Sequence, residues 1–294
     1  MDAIGFGALN VDKIYLVNRI PKAEEETFVR DVRIFPGGSA ANTIVGISRL
    51  GMKTGYIGKV GRDADGDFIV EDLRREGVDT YQVIRGEGRS GNALVFVDDA
   101  GNRAIVVDPG VNDTIAFDEI DLDYVSKFRL LHLTSFVCKL GRDSFESQKR
   151  LVKEFEGIVS FDPGSIYAER GLKEIESIVR RTTVFMPNEG EIKALTGLDY
   201  REGAELVLGM GVEVVVVKLG ERGCYVTDGR REIELPALKV NVVDTTGAGD
   251  AFNAGFLYGY LKGKDLEECG RLGNYVASMC VQRVGAREGL PRGI

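Results

Sequence analysis

The chain has 294 residues, 44% hydrophobic and 29% charged, with 38 Gly, 7 Pro and a formal net charge of −8. This composition excludes collagen-like, coiled-coil, mucin-like and disordered chains and supplies enough apolar material for a large core. No block of clustered Lys and Arg accompanies the acidic balance, so neither nucleic acid nor a membrane surface is expected as a partner, because clustered cations are what hold a phosphate backbone.

In chain order, β-rich runs are read at Ala3–Ala8, Thr54–Val60, Leu130–Thr134, Ile158–Asp162, Val184–Pro187, Val212–Leu219 and Lys239–Asp244, with a hairpin around Cys224–Leu235. Helix-period segments fall between them at Ala40–Leu50, Gly66–Glu76, Asp143–Phe155, Leu172–Arg180, Glu189–Thr196, Ala248–Leu261 and Leu266–Arg283. This alternation predicts an α/β fold, a mostly parallel sheet with helices on both faces. Residues 11–36 and 85–107 break it: Phe28, Val32 and Ile34 share one face, and Ala93, Val95 and Val97 repeat at period two. These segments read as a small antiparallel sheet inserted in the core, either a lid over a site or an oligomerisation surface. With no repeat and no Pro-rich linker, residues 1–294 read as one domain carrying the two insertions.

Cys138, Cys224, Cys269 and Cys280 form no C-x-x-C pair and His132 is the only histidine, so zinc and haem sites have no ligand set. The cysteines read as small buried hydrophobes in a reducing compartment. The N-terminal MDAIGFGALNVDK lacks a basic stretch, and the longest strongly apolar run, Val214–Val217, is too short to span a bilayer, so a cytoplasmic location is expected.

The strongest chemical signal is DTTGAGD, Asp244 to Asp250, between a predicted strand and an apolar helix. Gly247 and Gly249 allow a tight turn, after which the free N–H groups of the helix point outward as a site for anionic oxygen. Asp250 beside such a hole could take a proton from an attacking hydroxyl while the amides hold charge on a transferring phosphoryl group. An ordinary helix cap explains an isolated G-x-G-D equally well. In PGGSAANT, Gly37 and Gly38 allow a ligand close to the backbone and Asn42 offers both donor and acceptor to a polyol; a tight turn into a packed helix is the alternative. Asn10 and Asp12 share one face of an extended segment and suit a pair of sugar hydroxyls, as turn chemistry also would.

Asn188 and Glu191, and Lys218 through Gly223, lie beyond carboxyl ends of strands, where open parallel sheets bind ligands. Asn188 and Glu191 could share the waters of a Mg²⁺ on nucleotide phosphates, or form a capping box. Gly86, Gly88 and Gly91 spell G-x-G-x-x-G, but a β-rich segment follows in place of a helix, and no P-loop motif occurs.

Taken in this order, the motifs resemble those of the ribokinase-like (PfkB) carbohydrate and nucleoside kinases over almost the whole chain. The resemblance implies a three-layer α/β/α core with a small β lid and transfer of the ATP γ-phosphate to a hydroxymethyl group. It implies Asp250 as base and Gly247, Ala248 and Gly249 as anion hole, with Asn10, Asp12, Gly37, Gly38 and Asn42 on the acceptor. It also implies Asn188 and Glu191 at Mg²⁺ and phosphate, with Lys218, Gly220, Gly223 and Asn274 around ATP. Asp244, Thr246, Cys280, Arg283, Gly285 and Gly289 match positions that bind an activating monovalent cation such as K⁺, largely through carbonyls, although Gly289 stands where ribokinases often have Ser. Ser39 and Thr134 stand where ribokinases usually carry Lys and Glu, and VSFDPG looks more like archaeal nucleoside kinases of the family.

The leading expectation is therefore an ATP- and Mg²⁺-dependent sugar kinase, forming a homodimer through its lid. A nucleoside kinase is the alternative, with Tyr15, Phe28 or Phe96 stacking on a base; Arg30, Arg33, Arg89 and Arg103 are the cations available to a phosphorylated acceptor. A non-catalytic binding protein on the same fold ranks lower, and a dehydrogenase rests only on the discounted glycine triplet.

Overall fold

The computed structural model describes residues 1–294. The chain runs β1 (Ala3–Phe6), β2 (Asn10–Val17), β3 (Val29–Gly37), α1 (Ser39–Arg49), β4 (Thr54–Gly61), α2 (Ala64–Arg75), β5 (Val78–Asp79), β6 (Val83–Gly86), β7 (Gly91–Val97) and β8 (Arg103–Asp108). It continues through α3 (Leu122–Val125), β9 (Leu130–Leu133), α4 (Asp143–Glu154), β10 (Ile158–Phe161), α5 (Gly164–Ala168), α6 (Leu172–Val179), β11 (Val184–Phe185), α7 (Glu189–Thr196) and α8 (Tyr200–Leu208). β12 (Val214–Lys218), β13 (Cys224–Thr227), β14 (Glu232–Leu235), α9 (Ala248–Leu261) and α10 (Leu266–Cys280) complete it.

The main sheet has the order β14-β13-β12-β11-β10-β9-β1-β4-β5, with β6 also on β4. Its pairs are parallel from β12 to β5, and the predicted hairpin adds β13 and β14 antiparallel at one edge. Side chains alternate across each strand, so neighbouring residues feed different cores. Leu130, Val184, Val214 and Val216 pack with α1, α2, α9 and α10. Leu131, Val159, Phe185, Val215 and Val217 pack with α4, α6, α7 and α8. Burial on both faces is why these strands read as apolar runs.

The small sheet has the order β3-β2-β7-β8. Its two outer pairs are antiparallel, while β2 and β7 run parallel at its centre. It leaves the core after β1 and returns through Gly37 directly into α1. β6, at the start of the second expected insertion, belongs to the main sheet, so the small sheet takes Gly91–Asp108 from that side. Register separates its faces: Asp12 lies opposite Phe35 and Ala93, whereas Tyr15 lies opposite Val32 and Phe96 on the other face. Lys13, on the Tyr15 face, bonds Asp65 of α2 at 2.6 Å.

Two expectations change and one helix is added. Lys239–Asp244 is not a strand: it follows the edge strand β14 with no neighbour to pair with, leaving Val242 and Val243 exposed and the N–H groups of Val243 and Asp244 on Val281 O at 2.8 and 3.2 Å. The last helix stops at Cys280, short of Arg283. α8, unread in the sequence, is capped by Asp199, which accepts from the N–H groups of Arg201 and Glu202. No helix is long and apolar enough to cross a membrane.

Candidate active site

The carboxyl ends of β10, β11 and β12 meet the N-terminus of α9 around a cleft of about 300 Å³ that contains Asp162, Asn188, Glu191, Lys218, Gly249 and Asp250. Gly247 turns the chain into α9 with φ 75°, and a Cβ there would lie 2.6 Å from the Ala286 Cβ, so glycine is required. The turn carries Asp250 to the start of α1. Ser39 Oγ donates to its Oδ1 at 2.5 Å and Asn42 Nδ2 to its Oδ2 at 2.8 Å, while Thr43 Oγ1 holds its main-chain oxygen at 3.2 Å. Burial pushes the Asp250 carboxyl up to about 6 against the pull of these two side-chain bonds. Beside it, the N–H groups of Gly249 and Asp250 have no acceptor within the protein. Together these set a carboxylate held by two side-chain donors next to a helix end with free N–H groups.

Opposite Asp250, Lys218 Nζ donates to Asp162 Oδ2 at 2.5 Å, and Asn253 Nδ2 donates to the same oxygen at 2.6 Å. Burial works against both charges, yet the Lys218 ammonium holds Asp162 below its usual range and the carboxylates of Asp162 and Glu191 hold Lys218 above its own. Glu191 is pushed up to about 7, first by burial and then by Asp162. Asn188 and Glu191 form the capping box: Glu191 N–H donates to Asn188 Oδ1 and Asn188 N–H to Glu191 Oε2, both at 2.8 Å. They border the cleft as well, so capping and ligand contact are compatible. Gly220 is open, with no heavy atom within 4 Å of a built Cβ, whereas a Cβ on Gly223 would lie 2.0 Å from Leu235 O. Gly223 is thus a packing glycine against the exit of β14.

On the small-sheet side, Asn10 Oδ1 accepts from Asn112 Nδ2 at 2.9 Å. The Asp12 carboxylate lies against Gly37, where a Cβ would be 2.4 Å from either oxygen. Burial raises Asp12 to about 6, opposed by the charge of Arg287. Gly38, at φ 104°, brings its Cα so near Ala8 O that a Cβ would lie 2.2 Å from it. The paired glycines therefore serve a close turn that brings Asp12, Asn42 and Asp250 to one corner.

The profile of the pfkB family carbohydrate kinases matches residues 3–292. The chain belongs to this family. An uncharacterized sugar kinase of Archaeoglobus fulgidus is 62% identical over 250 residues, covering 85% of this chain and 100% of that protein. The ribokinase of Thermotoga maritima superposes with a TM-score of 0.88 at 30% identity, covering 99% and 96% of the two chains. The ribokinase of Arabidopsis thaliana, solved with ribose and ATP, gives 0.88 at 27% identity over 99% and 95%. As a pfkB-family sugar kinase, the protein is a phosphotransferase acting on an alcohol group.

Other positions drawn from the pfkB resemblance are gathered differently. Asp244 Oδ1 accepts from the N–H and Oγ1 of Thr246 at 3.0 and 2.7 Å, and its Oδ2 from Gly285 N–H at 3.0 Å, tying the two loops together. A Cβ on Gly289 would meet the carbonyls of Met279 and Cys280 at 2.4 and 2.6 Å. The carbonyls of Thr246 and Ala286 face Cys280 Sγ at 3.7 and 3.4 Å, and Arg283 is exposed. Asn274 stands apart from the cleft, its amide donating to the carbonyls of Leu235 and Pro236 at 3.3 and 3.1 Å. Tyr15 and Phe96 stack on each other with centroids 5.4 Å apart, on the face away from Asp12; Phe35 is the aromatic sharing the Asp12 face. Arg30, Arg33, Arg89 and Arg103 each have a carboxylate partner, in Asp99, Asp31, Asp108 and Asp244. Asp162, Asn253, Asn112 and Arg287 are the polar residues of this region that the sequence did not single out. Only Asp162 carried a signal, as the last residue of a predicted strand and as part of VSFDPG.

Proposed function

We propose that the protein transfers the γ-phosphate of ATP to a hydroxymethyl group of a small sugar, with Asp250 as general base. The observation carrying this reading is the pairing of a half-buried carboxylate with two unbonded N–H groups at the start of α9, across from the Lys218 ammonium. Asp250 receives the hydroxyl proton, with Ser39 and Asn42 aiming its remaining lone pairs. The free amides of Gly247 and Gly249, with Lys218, hold the charge that develops on the phosphoryl oxygens, whereas the expected Ala248 N–H is already bonded to Thr245 O at 3.2 Å.

The donor set fits a nucleotide triphosphate and its metal. Two free amides and an ammonium suit phosphate oxygens, while Glu191 and Asn188 border the same space. No group of three or more His, Cys, Asp or Glu side chains could hold a metal ion by itself. That suits Mg²⁺, which keeps several waters and rides on phosphates with one or two carboxylates. When bound, it neutralises phosphate charge. The carbonyls near Cys280, Ala286 and Thr246, tied by Asp244, are the place we assign to K⁺.

Asn10, Asp12, Gly37, Gly38 and Asn42 form the sugar-binding corner, under the small sheet as a water-excluding lid. Register places Tyr15 and Phe96 away from the Asp12 side, so of the aromatics on this sheet only Phe35 is placed to contact an acceptor there. The four free cysteines support a cytoplasmic location, and the exposed apolar residues of β3 and β8 support a homodimer through the small sheet. The test is an ADP-release assay with ATP and Mg²⁺ against pentoses, hexoses, polyols, sugar phosphates and nucleosides. Turnover of a free sugar is expected, and Asp250→Asn should lower kcat by about 10²–10⁴-fold with ATP affinity nearly unchanged. Near-normal turnover by that variant would remove Asp250 from the base role, and turnover of nucleosides alone would move the protein to the nucleoside branch.

A further inference from the structure

Arg287 lies on the C-terminal segment beyond the last helix, yet it is 5% exposed and reaches the corner where α1 meets α9. Its Nε donates to Asn42 Oδ1 at 2.7 Å, Nη1 pairs with the buried carboxylate of Asp72, and Nη2 reaches Gly37 O at 3.4 Å. Arg49 Nη1 in turn donates to Arg287 O at 2.6 Å and Leu290 O at 3.1 Å, fixing the main chain that carries it.

The chemistry of these contacts is directional. A guanidinium has only donors, so the Asn42 group facing it must be the amide oxygen. The NH₂ of Asn42 must then point the other way, where it meets Asp250 Oδ2 at 2.8 Å. A flipped amide would set NH₂ against guanidinium and oxygen against carboxylate, losing both bonds. Asp72 anchors the guanidinium from α2, and burial of the whole set raises the penalty for any unpaired member.

We infer that Arg287 is a positioning residue for phosphoryl transfer: it locks the Asn42 amide in the one orientation that donates to Asp250. The inference rests on the kinase reading, but its geometry does not depend on which acceptor is used. Arg287 does not touch the cleft; it acts through Asn42. The C-terminal segment is thereby part of the catalytic arrangement.

The test is a cycle of wild type, Arg287→Lys, Asn42→Ala and the double variant. Lysine keeps a charge for Asp72 but loses the fork that reaches Asn42. Expected is a ten- to hundredfold fall in kcat for Arg287→Lys, about the size of one bond to a charged group, with KM for ATP within about twofold of wild type. In the Asn42→Ala background the same substitution should lower kcat no further. Equal losses in both backgrounds would overturn the inference, because a merely structural role does not need Asn42.

A second arm needs no acceptor: carboxyl ¹³C NMR of the same four proteins, with the Asp250 signal assigned by its loss in Asp250→Asn. Lys218, Asp162 and Glu191 face Asp250 and are left intact in all four. Arg287→Lys and Asn42→Ala should each move the Asp250 midpoint upward by a similar amount, and the double variant by no more. An unmoved midpoint in Arg287→Lys overturns the inference. A wild type that turns over no acceptor defeats the kinase reading alone, and the NMR arm still decides this one. If Arg287→Lys does not fold, Arg287→Met with Asp72→Asn, which removes both buried charges together, takes its place.

Discussion

Burial pushes Asp12 and Asp250 to about 6 and Glu191 to about 7, so the cleft and the small-sheet corner together keep three carboxyl groups that ionise at a cost. For a general base this is useful, since a proton acceptor works best when its pKa lies near the working pH. Asp250 must be ionised to accept a proton, so activity should rise with pH through about 6 and be lost below it. A pH profile of kcat measures this directly, and an acid limb well below 5 would separate the limb from Asp250. Stability runs the opposite way. A carboxyl whose folded pKa lies above its unfolded value contributes stability below the unfolded value and loses it as pH rises through the folded one. Between about pH 4 and 7 the ligand-free protein should therefore lose stability as these three groups ionise. Asp250→Asn removes one such cost. It should be more stable than wild type at pH 8, by on the order of 2 kcal/mol, with the difference vanishing toward pH 4. Denaturation curves at the two pH values check it; a variant less stable than wild type at pH 8 would show that the bonds from Ser39 and Asn42 outweigh the burial cost.

At the scale of elements, the decisive feature is the junction of α1 and α9, whose N-termini share Asp250. Gly38 makes that junction possible, at φ 104° with the Ala8 carbonyl where a Cβ would go. Gly38→Ala should cost about 2 kcal/mol or more and raise the acceptor KM, because α1 must shift away from β1. Gly220→Ala, also at positive φ but with nothing within 4 Å, should cost only about 1 kcal/mol. Urea denaturation of both variants tests the contrast, and equal losses would mean that the close approach to Ala8 carries no weight. The sequence displayed much of this junction, since DTTGAGD and PGGSAANT each announce a glycine turn into an apolar helix. Their meeting was hidden, because Asn42 and Asp250 are 208 residues apart and nothing local pairs them. Arg287 was hidden for a related reason: an arginine in an irregular C-terminal segment reads as solvated surface until the fold buries it. The false strand at Lys239–Asp244 has the converse cause. Its valines carry strand propensity, but an edge position gives them no neighbour to pair with.

For the whole molecule, the main sheet is covered on both faces and the small sheet is not. Its edge strands expose Val32 and Ile34 of β3 at 43 and 53% on the Tyr15 face and Ile105 and Val107 of β8 at 61 and 45% on the Asp12 face. Unpaired edges bearing apolar side chains are the places where proteins add another chain or aggregate. A second copy of this chain packed on the Asp12 face would cover Ile105 and Val107 and would also brace Asp12, which sits on the central strand β2 of the same sheet. Such an assembly would bear on acceptor binding more than on ATP, whose expected place lies by β12 and α9. Placing lysines there, as Ile105→Lys with Val107→Lys, should give a monomer in sedimentation velocity with unchanged far-UV circular dichroism. Its KM for the acceptor should rise about tenfold while KM for ATP stays within about twofold, as expected when one binding surface loses its support. A wild type that already sediments as a monomer would sink the dimer reading. A monomeric variant with unaltered acceptor KM would leave the small sheet rigid enough to hold Asp12 without a partner.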